Sequence, residues 1–418
     1  MHHGIADQRT KRVGDSWRNM LAFHRDPLTI LSEVAQSGLP VTPITIARWT
    51  LYLITGPDEL GQVFSHHVRV LEKGPGMDRD NPLIGRGLLL SETPWWEESR
   101  RQIKGALAPS RVRLQSEVMG ETIEHALDNW PDGGVDVFPE LIRLTAEVVV
   151  SSLFQGSLEP KTFAVMIKAS ENLMNFFYNR TRSFVRPPYW APRPFNRQYS
   201  GAGHRLNETA DLLYAQKDVA PSDFLQRLGR LSPEDRRAQI ITFLIAGHET
   251  TANALGWTLD LLARNPETQQ MARRDPVWLE AAINESLRLY PPIWLMSRKT
   301  LVDIDLAHYH VPIGTSLLVS PWVNHRLARY FPQPEKFAPE RWINQPEPIP
   351  YTYFPFGGGQ RSCIGEAFAR QELRLTIQAV LARWTLSPLY PTATEPLPRM
   401  SLRPRGGIGL RLKPITNH

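Results

Sequence analysis

From Ser232 to Asn265 the chain reads as one unbroken helix, and this segment constrains the fold more than any other. Ser232 is a good N-cap, Pro233 suits the first turn, and Glu234 and Asp235 complement the positive end of the helix dipole. The pattern runs to about Arg264, just before Asn265-Pro266. At ~1.5 Å per residue such a helix spans most of a domain's diameter, so whatever forms must accommodate it.

Other elements follow from spacing and punctuation. A second helix is expected from Asp275-Pro276 to near Tyr290-Pro291-Pro292, and Trp95 to Ala108 and Leu141 to Phe154 also have helical spacing. Val41 to Pro57 alternates and is β-branched, which predicts a small opening sheet, followed by a helix start in GPDELGQVF. Short strands are predicted at Val302 to Ile304 and Ser316 to Val319. Arg186 to Phe195 holds four prolines and must be a loop. Pro332 to Phe356 is an irregular meander whose aromatics need burial.

The chain has 418 residues, 42% hydrophobic and 22% charged, enough apolar material for a large core and outside the disordered range. Its single cysteine excludes an intramolecular disulfide, zinc ribbons and cysteine-ligated iron–sulfur clusters, and fits a reducing compartment. The polar N-terminus lacks the apolar core of a signal peptide, and no stretch reaches the roughly 18 to 20 apolar residues of a spanning helix. The expectation is a cytoplasmic protein with no transmembrane anchor. A net charge of +6 is compatible with nucleic acid, an anionic membrane or an acidic protein partner, and no long basic run selects among them.

That one cysteine sits in Phe356-Gly357-Gly358-Gly359-Gln360-Arg361-Ser362-Cys363-Ile364-Gly365, immediately before the strong helical run EAFARQELRLTIQAVLARW. A helix N-terminus is expected to lower the thiol pKa and favour thiolate. Glycines let the backbone pass close to a flat macrocycle, and Arg361 can pair with a carboxylate on its rim. A lone cysteine is usually a buried small hydrophobe. Here the context argues otherwise.

The run resembles the cysteine loop of cytochrome P450 at six positions: Phe356, Gly357, Gly359, Arg361, Cys363 and Gly365. Within the long helix, Ile245-Ala246-Gly247-His248-Glu249-Thr250-Thr251 resembles the family's oxygen-binding groove. Ala246 and Thr250 are four apart and share a face, with Glu249 beside them. Small Ala246 and Gly247 leave room for dioxygen, and Thr250 can bond back to the Ala246 carbonyl. His248 falls at the variable position of the motif and is not taken as a ligand. Glu285-Ser286-Leu287-Arg288 and Pro339-Glu340-Arg341-Trp342 resemble the family's two structural motifs, which implies that Glu285, Arg288 and Arg341 form a buried network that stabilises the fold. Trp96 and Arg100 fit the W-x-x-x-R helix, and with Arg298 and Arg361 they are expected to hold the haem propionates.

The resemblance runs from about Trp96 to Arg405. It implies a mainly α fold with a small β lobe around a buried haem, organised as one domain over residues 1–418. It further implies haem b as cofactor, Cys363 as axial iron ligand, and insertion of one oxygen atom from dioxygen into a hydrophobic organic substrate, with Thr250 and Glu249 delivering protons. No flavin or iron–sulfur segment is present, so electrons derived from NAD(P)H must come through a partner such as a ferredoxin. Arg100, Arg101, Lys104, Arg111 and Arg113 are candidates for its docking face. Ile293, Trp294 and Leu295, with Met296, are expected at the substrate pocket, and the aromatics Phe176, Phe177, Tyr178, Phe184, Tyr189, Trp190 and Phe195 suggest a large apolar substrate. Long-chain fatty acids and carotenoids or other terpenoids are the expected classes. The alternatives are a peroxide-driven oxygenase of the same fold, a haem sensor or carrier, and a non-haem helical protein with a buried thiol.

Overall fold

The computed structural model describes residues 16–46, 49–74, 77, 81–183, 188–191, 194–216, 222–306, 308–344 and 347–415, with the side chains of Ser16, Pro194 and Phe195 left aside. Of the proline-rich stretch 186–195, residues 188–191 are irregular as expected, whereas the last two positions already belong to a helix, Pro194–Ala215, so the loop ends earlier than the prolines suggest; the remaining positions lie outside the described residues, as do Phe184 and the Phe195 side chain. Among the described residues no helix is long and apolar enough to cross a membrane.

Five helices frame the site: α1 (Trp95–Lys104), α2 (Pro160–Arg182), α3 (Pro233–Arg264), α4 (Pro276–Leu289) and α5 (Glu366–Arg383). The 32-residue α3 starts and stops where the sequence signals lie, and the Ser232 hydroxyl accepts from the Asp235 N–H as its cap. From Ala238 to Ala263 it is buried on nearly every side, so its hydrophobic residues need no single stripe. It packs against the helix Phe138–Val148 and against α4 and α5.

The β lobe is a five-stranded sheet of β1 (Val41–Ile46), β2 (Trp49–Ile54), β3 (Leu71–Lys73), β4 (Met296–Thr300) and β5 (Ser316–Val319), in the order β1-β2-β5-β4-β3. Only β2 and β5 run parallel. The strand expected at 302–304 instead occupies Ile304–Leu306, paired with Tyr309–Val311. Val302 and Asp303 precede that strand, and the Asp303 carboxylate accepts from the Ile313 N–H. The meander after Pro332 is irregular apart from a short turn at Pro339–Trp342.

Candidate functional site

α1, α3, β3, β4 and the loop entering α5 converge on a cavity of about 780 Å³. Cys363 lies at its floor. The Cys363 N–H donates to the Phe356 carbonyl at 2.8 Å and the Gly357 N–H to Phe354 at 2.9 Å, which closes the loop into a compact turn. Gly357 and Gly359 take φ of +75° and +61°, a region that disfavours side chains. The glycines answer chiefly to Phe64. A Cβ on Gly359 would fall 2.0 Å from the Phe64 carbonyl oxygen and one on Gly358 2.7 Å from its ring. Their smallness therefore seats the loop on the segment Gln62–His66, where the sequence suggests close approach to a macrocycle instead.

Cys363 is deep in the protein, and the surface it keeps open is cavity surface. Burial pushes its thiol up to about 11, although the Gly365 N–H and Arg100 pull the other way. The expected lowering by the helix is overturned for a physical reason. α5 begins only at Glu366, whose own charge opposes ionisation, and desolvation outweighs the rest. A directly bound cation is what would hold this sulfur as thiolate.

One wall of the cavity is cationic. Arg361 pairs with Glu92, donates to the Ser91 carbonyl at 3.3 Å, and lies 4.4 Å from the Trp96 ring centroid, with Arg100 at 5.6 Å from the same ring. Arg100 also reaches the Ser362 hydroxyl at 3.5 Å. Lys73 on β3 and Arg298 on β4 complete the group, facing each other across the ladder. Burial and then the neighbouring Arg361 push Lys73 down to about 7 and Arg298 to about 10. Among the described residues only Glu92 forms ion pairs with these four cations. Lys73 and Glu92 were not found by sequence reasoning.

α3 forms the opposite wall. Thr250 donates from Oγ1 to the Ala246 carbonyl at 2.8 Å, and Ala246 opens to the cavity. Gly247 also borders it, yet a Cβ there would meet Val149 Cγ2 at 2.8 Å, so its smallness serves helix packing rather than dioxygen. His248 points away, buried, with Nδ1 against the Leu244 carbonyl. Glu249 is 3% exposed in its side chain and accepts from Arg403 Nε at 3.0 Å and from the Ser401 hydroxyl at 2.5 Å. Burial alone would raise this carboxyl, but Arg403, Ser401 and His248 together hold it below its ordinary value. Arg403 lies on strand β6 (Leu402–Pro404) and Ser401 just before it, in a stretch whose sequence resembles the family's closing strands but in which neither residue is marked as part of the site.

Ile293, Trp294, Leu295 and Met296 line the apolar end of the cavity, with Trp294 Nε1 donating to the Arg399 carbonyl at 2.8 Å. The aromatics divide differently from expectation. Phe176 and Phe177 are buried, and Phe176 packs on Tyr199 and Tyr189 at 4.3 and 5.9 Å. Trp190 is 82% exposed, and only Tyr178 of the described set borders the cavity. Behind α5, Glu285 accepts from Arg288 (2.8 and 2.9 Å), Arg341 (2.9 Å), the Trp342 indole (2.8 Å) and the Ala338 N–H (3.0 Å).

A family model described as Cytochrome P450 matches residues 17–276 and 277–413. The chain belongs to the cytochrome P450 family, and it is a cytochrome P450 monooxygenase. It is 30% identical to cyclooctatin synthase of Streptomyces melanosporofaciens, over 91% of this chain and 90% of that one, and 29% identical to pentalenene oxygenase of Streptomyces avermitilis, over 92% and 91%. The crystal structure of CYP175A1 from Thermus thermophilus superposes with a TM-score of 0.82 at 28% identity, covering 96% of this chain and 99% of that one. The fold is mainly α, and the family uses haem b with electrons supplied through a redox partner.

The residues present fit that cofactor. The cavity offers one thiol sulfur, and a Cβ on Gly365 would have only Cys363 Sγ within 4 Å, so space is left beside the sulfur. Four cations set against Glu92 leave positive charge for two propionates. Arg361 Nε is buried and makes no hydrogen bond, a donor that a propionate oxygen would satisfy.

Proposed function

We propose that this monooxygenase hydroxylates a large apolar substrate of the terpenoid or long-chain fatty-acid class, as one haem domain over residues 1–418 that works in the cytoplasm with an acidic ferredoxin as electron donor. The observation that carries the reading is the convergence of Cys363, the cationic group and Thr250 on a single cavity with an apolar end. Two relatives, cyclooctat-9-en-7-ol 5-monooxygenase and pentalenene oxygenase, are named for terpenoid substrates, which favours a terpenoid skeleton.

In this reading Cys363 would bind the haem iron, and Trp96, Arg100, Arg298, Arg361 and Lys73 would hold its propionates, with Phe356, Gly357 and Gly365 shaping the loop that carries the sulfur. Bound haem supplies the activation of dioxygen, one atom going to substrate and the other leaving as water. Ile293, Trp294 and Leu295 orient the substrate and exclude water. Glu249, ionised beside Arg403, would order water that relays protons from solvent, and the Thr250 hydroxyl, turned from the Ala246 carbonyl toward the cavity, would give up its own proton as it takes one from that water. The Glu249–Thr250 pair favours this external-electron reading over a peroxide-driven oxygenase, and a haem sensor or carrier needs neither residue.

The test is the reduced carbon-monoxide difference spectrum of the purified holoprotein and of Cys363→Ser. The wild type is expected to give the thiolate-specific band and to hydroxylate members of a terpene and fatty-acid panel when supplied with electrons. The variant should lose both. A wild-type spectrum of histidine type, or native-like turnover by Cys363→Ser, would sink the proposal.

A further inference from the structure

At the end of the cavity away from the Cys363 loop, two guanidiniums converge on one tyrosine. Arg182 Cζ lies 5.0 Å and Arg399 Cζ 4.9 Å from the Tyr178 ring centroid. Arg182 stands in the last turn of α2, where it donates to the Tyr178 hydroxyl and the His24 carbonyl. Arg399 comes from the chain approaching β6, its carbonyl held by Trp294 and its N–H donating to the Ser401 carbonyl at 3.0 Å. Both arginines border the main cavity and also a smaller adjoining pocket of about 490 Å³ that they share with His24, Tyr178 and Ser183.

The charge here is unbalanced. Among the described residues neither Arg182 nor Arg399 forms an ion pair, whereas two arginines just after Arg399 in the chain do: Arg403 has Glu249 and Arg405 has Glu395. The C-terminal end of α2 offsets part of the Arg182 charge, but this effect fades beyond the last turn and Arg399 has no such help. Guanidinium is always protonated, so two of them over one ring repel unless an anion sits between them. His24 adds no fixed charge, since burial and then Arg182 lower its pKa. The cations around Cys363 are a separate group, already matched to the propionates.

We propose that Arg182 and Arg399, braced on Tyr178, are an anion seat at the cavity mouth that takes the carboxylate or phosphate end of an otherwise apolar substrate. The planar forks suit a carboxylate, which each can engage through paired N–H donors. The apolar chain then runs inward past Phe23, Ile46, Leu51 and Met174 toward Ile293 and Leu295. The seat thus fixes which end of the molecule stays at the entrance and which end meets the reacting centre. This deepens the monooxygenase reading above and rests on it for the chemistry at the inner end.

The experiment compares hexadecanoic acid, its methyl ester and hexadecyl phosphate on the holoenzyme, by calorimetry and by haem spin state. The wild type is expected to bind an anionic ligand about tenfold more tightly than the ester, the scale of one charge-assisted hydrogen-bonded contact. In Arg182→Gln/Arg399→Gln the anion-to-ester ratio should fall to within about twofold, and in wild type it should shrink at high salt, as expected of a partly exposed site. The better of acid and phosphate identifies the headgroup. Equal affinity for acid, phosphate and ester in wild type, or a ratio unchanged in the double variant, overturns the seat. Calorimetry reads that ratio whether or not the spin state changes, so its failure is distinct from loss of the thiolate band, which counts against the haem-thiolate reading alone.

Discussion

Lys73 and Arg298 stand opposite one another across the β3–β4 ladder, two cations at paired positions where like charges destabilise a sheet. Their juxtaposition is sustained by Glu92 on one side and, in the proposed holoenzyme, by propionates on the other.

This relationship has a pH signature in the haem-free protein. Lys73 is held at about 7 in the fold against its ordinary 10.5, so between those values the unfolded chain binds more protons than the folded one. Stability should therefore rise with pH through that window, with a slope approaching ~1.4 kcal/mol per pH unit from this group. Urea unfolding at pH 7, 8 and 9 should show the rise in wild type and a flatter profile in Lys73→Met. Parallel profiles would refute it.

Glu285→Gln should be the most damaging single change away from the cavity. The Glu285 and Arg288 side chains are fully buried, and the carboxylate serves four residues at once. An amide offers one acceptor oxygen and no charge, which leaves two guanidiniums unmatched. A loss of about 3–5 kcal/mol is expected, the usual scale for one partner removed from a buried ion pair. Chemical unfolding of the holoprotein measures it, and a loss below about 1 kcal/mol would contradict the network's structural role.

Thr250→Ala should separate electron use from product. The hydroxyl is positioned by Ala246, and without it protons reach the cavity unguided. Reductant consumption should continue while product per electron falls several-fold and peroxide rises. An unchanged ratio of product to electrons would leave Thr250 a packing residue.

Lys104→Glu with Arg113→Glu should slow reduction by an acidic ferredoxin at low salt while sparing the substrate-induced spectral change. Both residues are exposed on the face that carries α1 and the helix Pro109–Leu114, and among the described residues neither forms an ion pair. Arg101, by contrast, is tied to Glu98, and Arg100 turns to the cavity. Complementary charge acts mainly on encounter rate, so about a tenfold effect should fade as salt screens it. Stopped-flow rates equal to wild type at low salt would move the docking face elsewhere.

Much of this was legible in the sequence where local chemistry decides. Ser232 and Pro233 announce α3 because capping is a four-residue affair, and the ten-residue cysteine loop carries its own signature. Lys73 was not legible: it ends a three-residue strand, and its meaning comes from a register with Arg298, far away in the chain. Ser401 and Arg403 escaped notice for the same reason, since a strand at the C-terminus reveals nothing of the acid it will meet. The glycines show a different limit. Sequence reports that a side chain is missing, and only packing reports that Val149 or Phe64 fills the space.

The contact between Gly359 and Phe64 fixes more than a turn. With no room for even one methyl group between them, the sulfur-bearing loop is seated on the segment Gln62–His66 between β2 and β3 as well as on the helix it leads into. In the proposed holoenzyme a displacement of Phe64 would therefore reach the sulfur directly and register in the haem's colour while the helices remain intact.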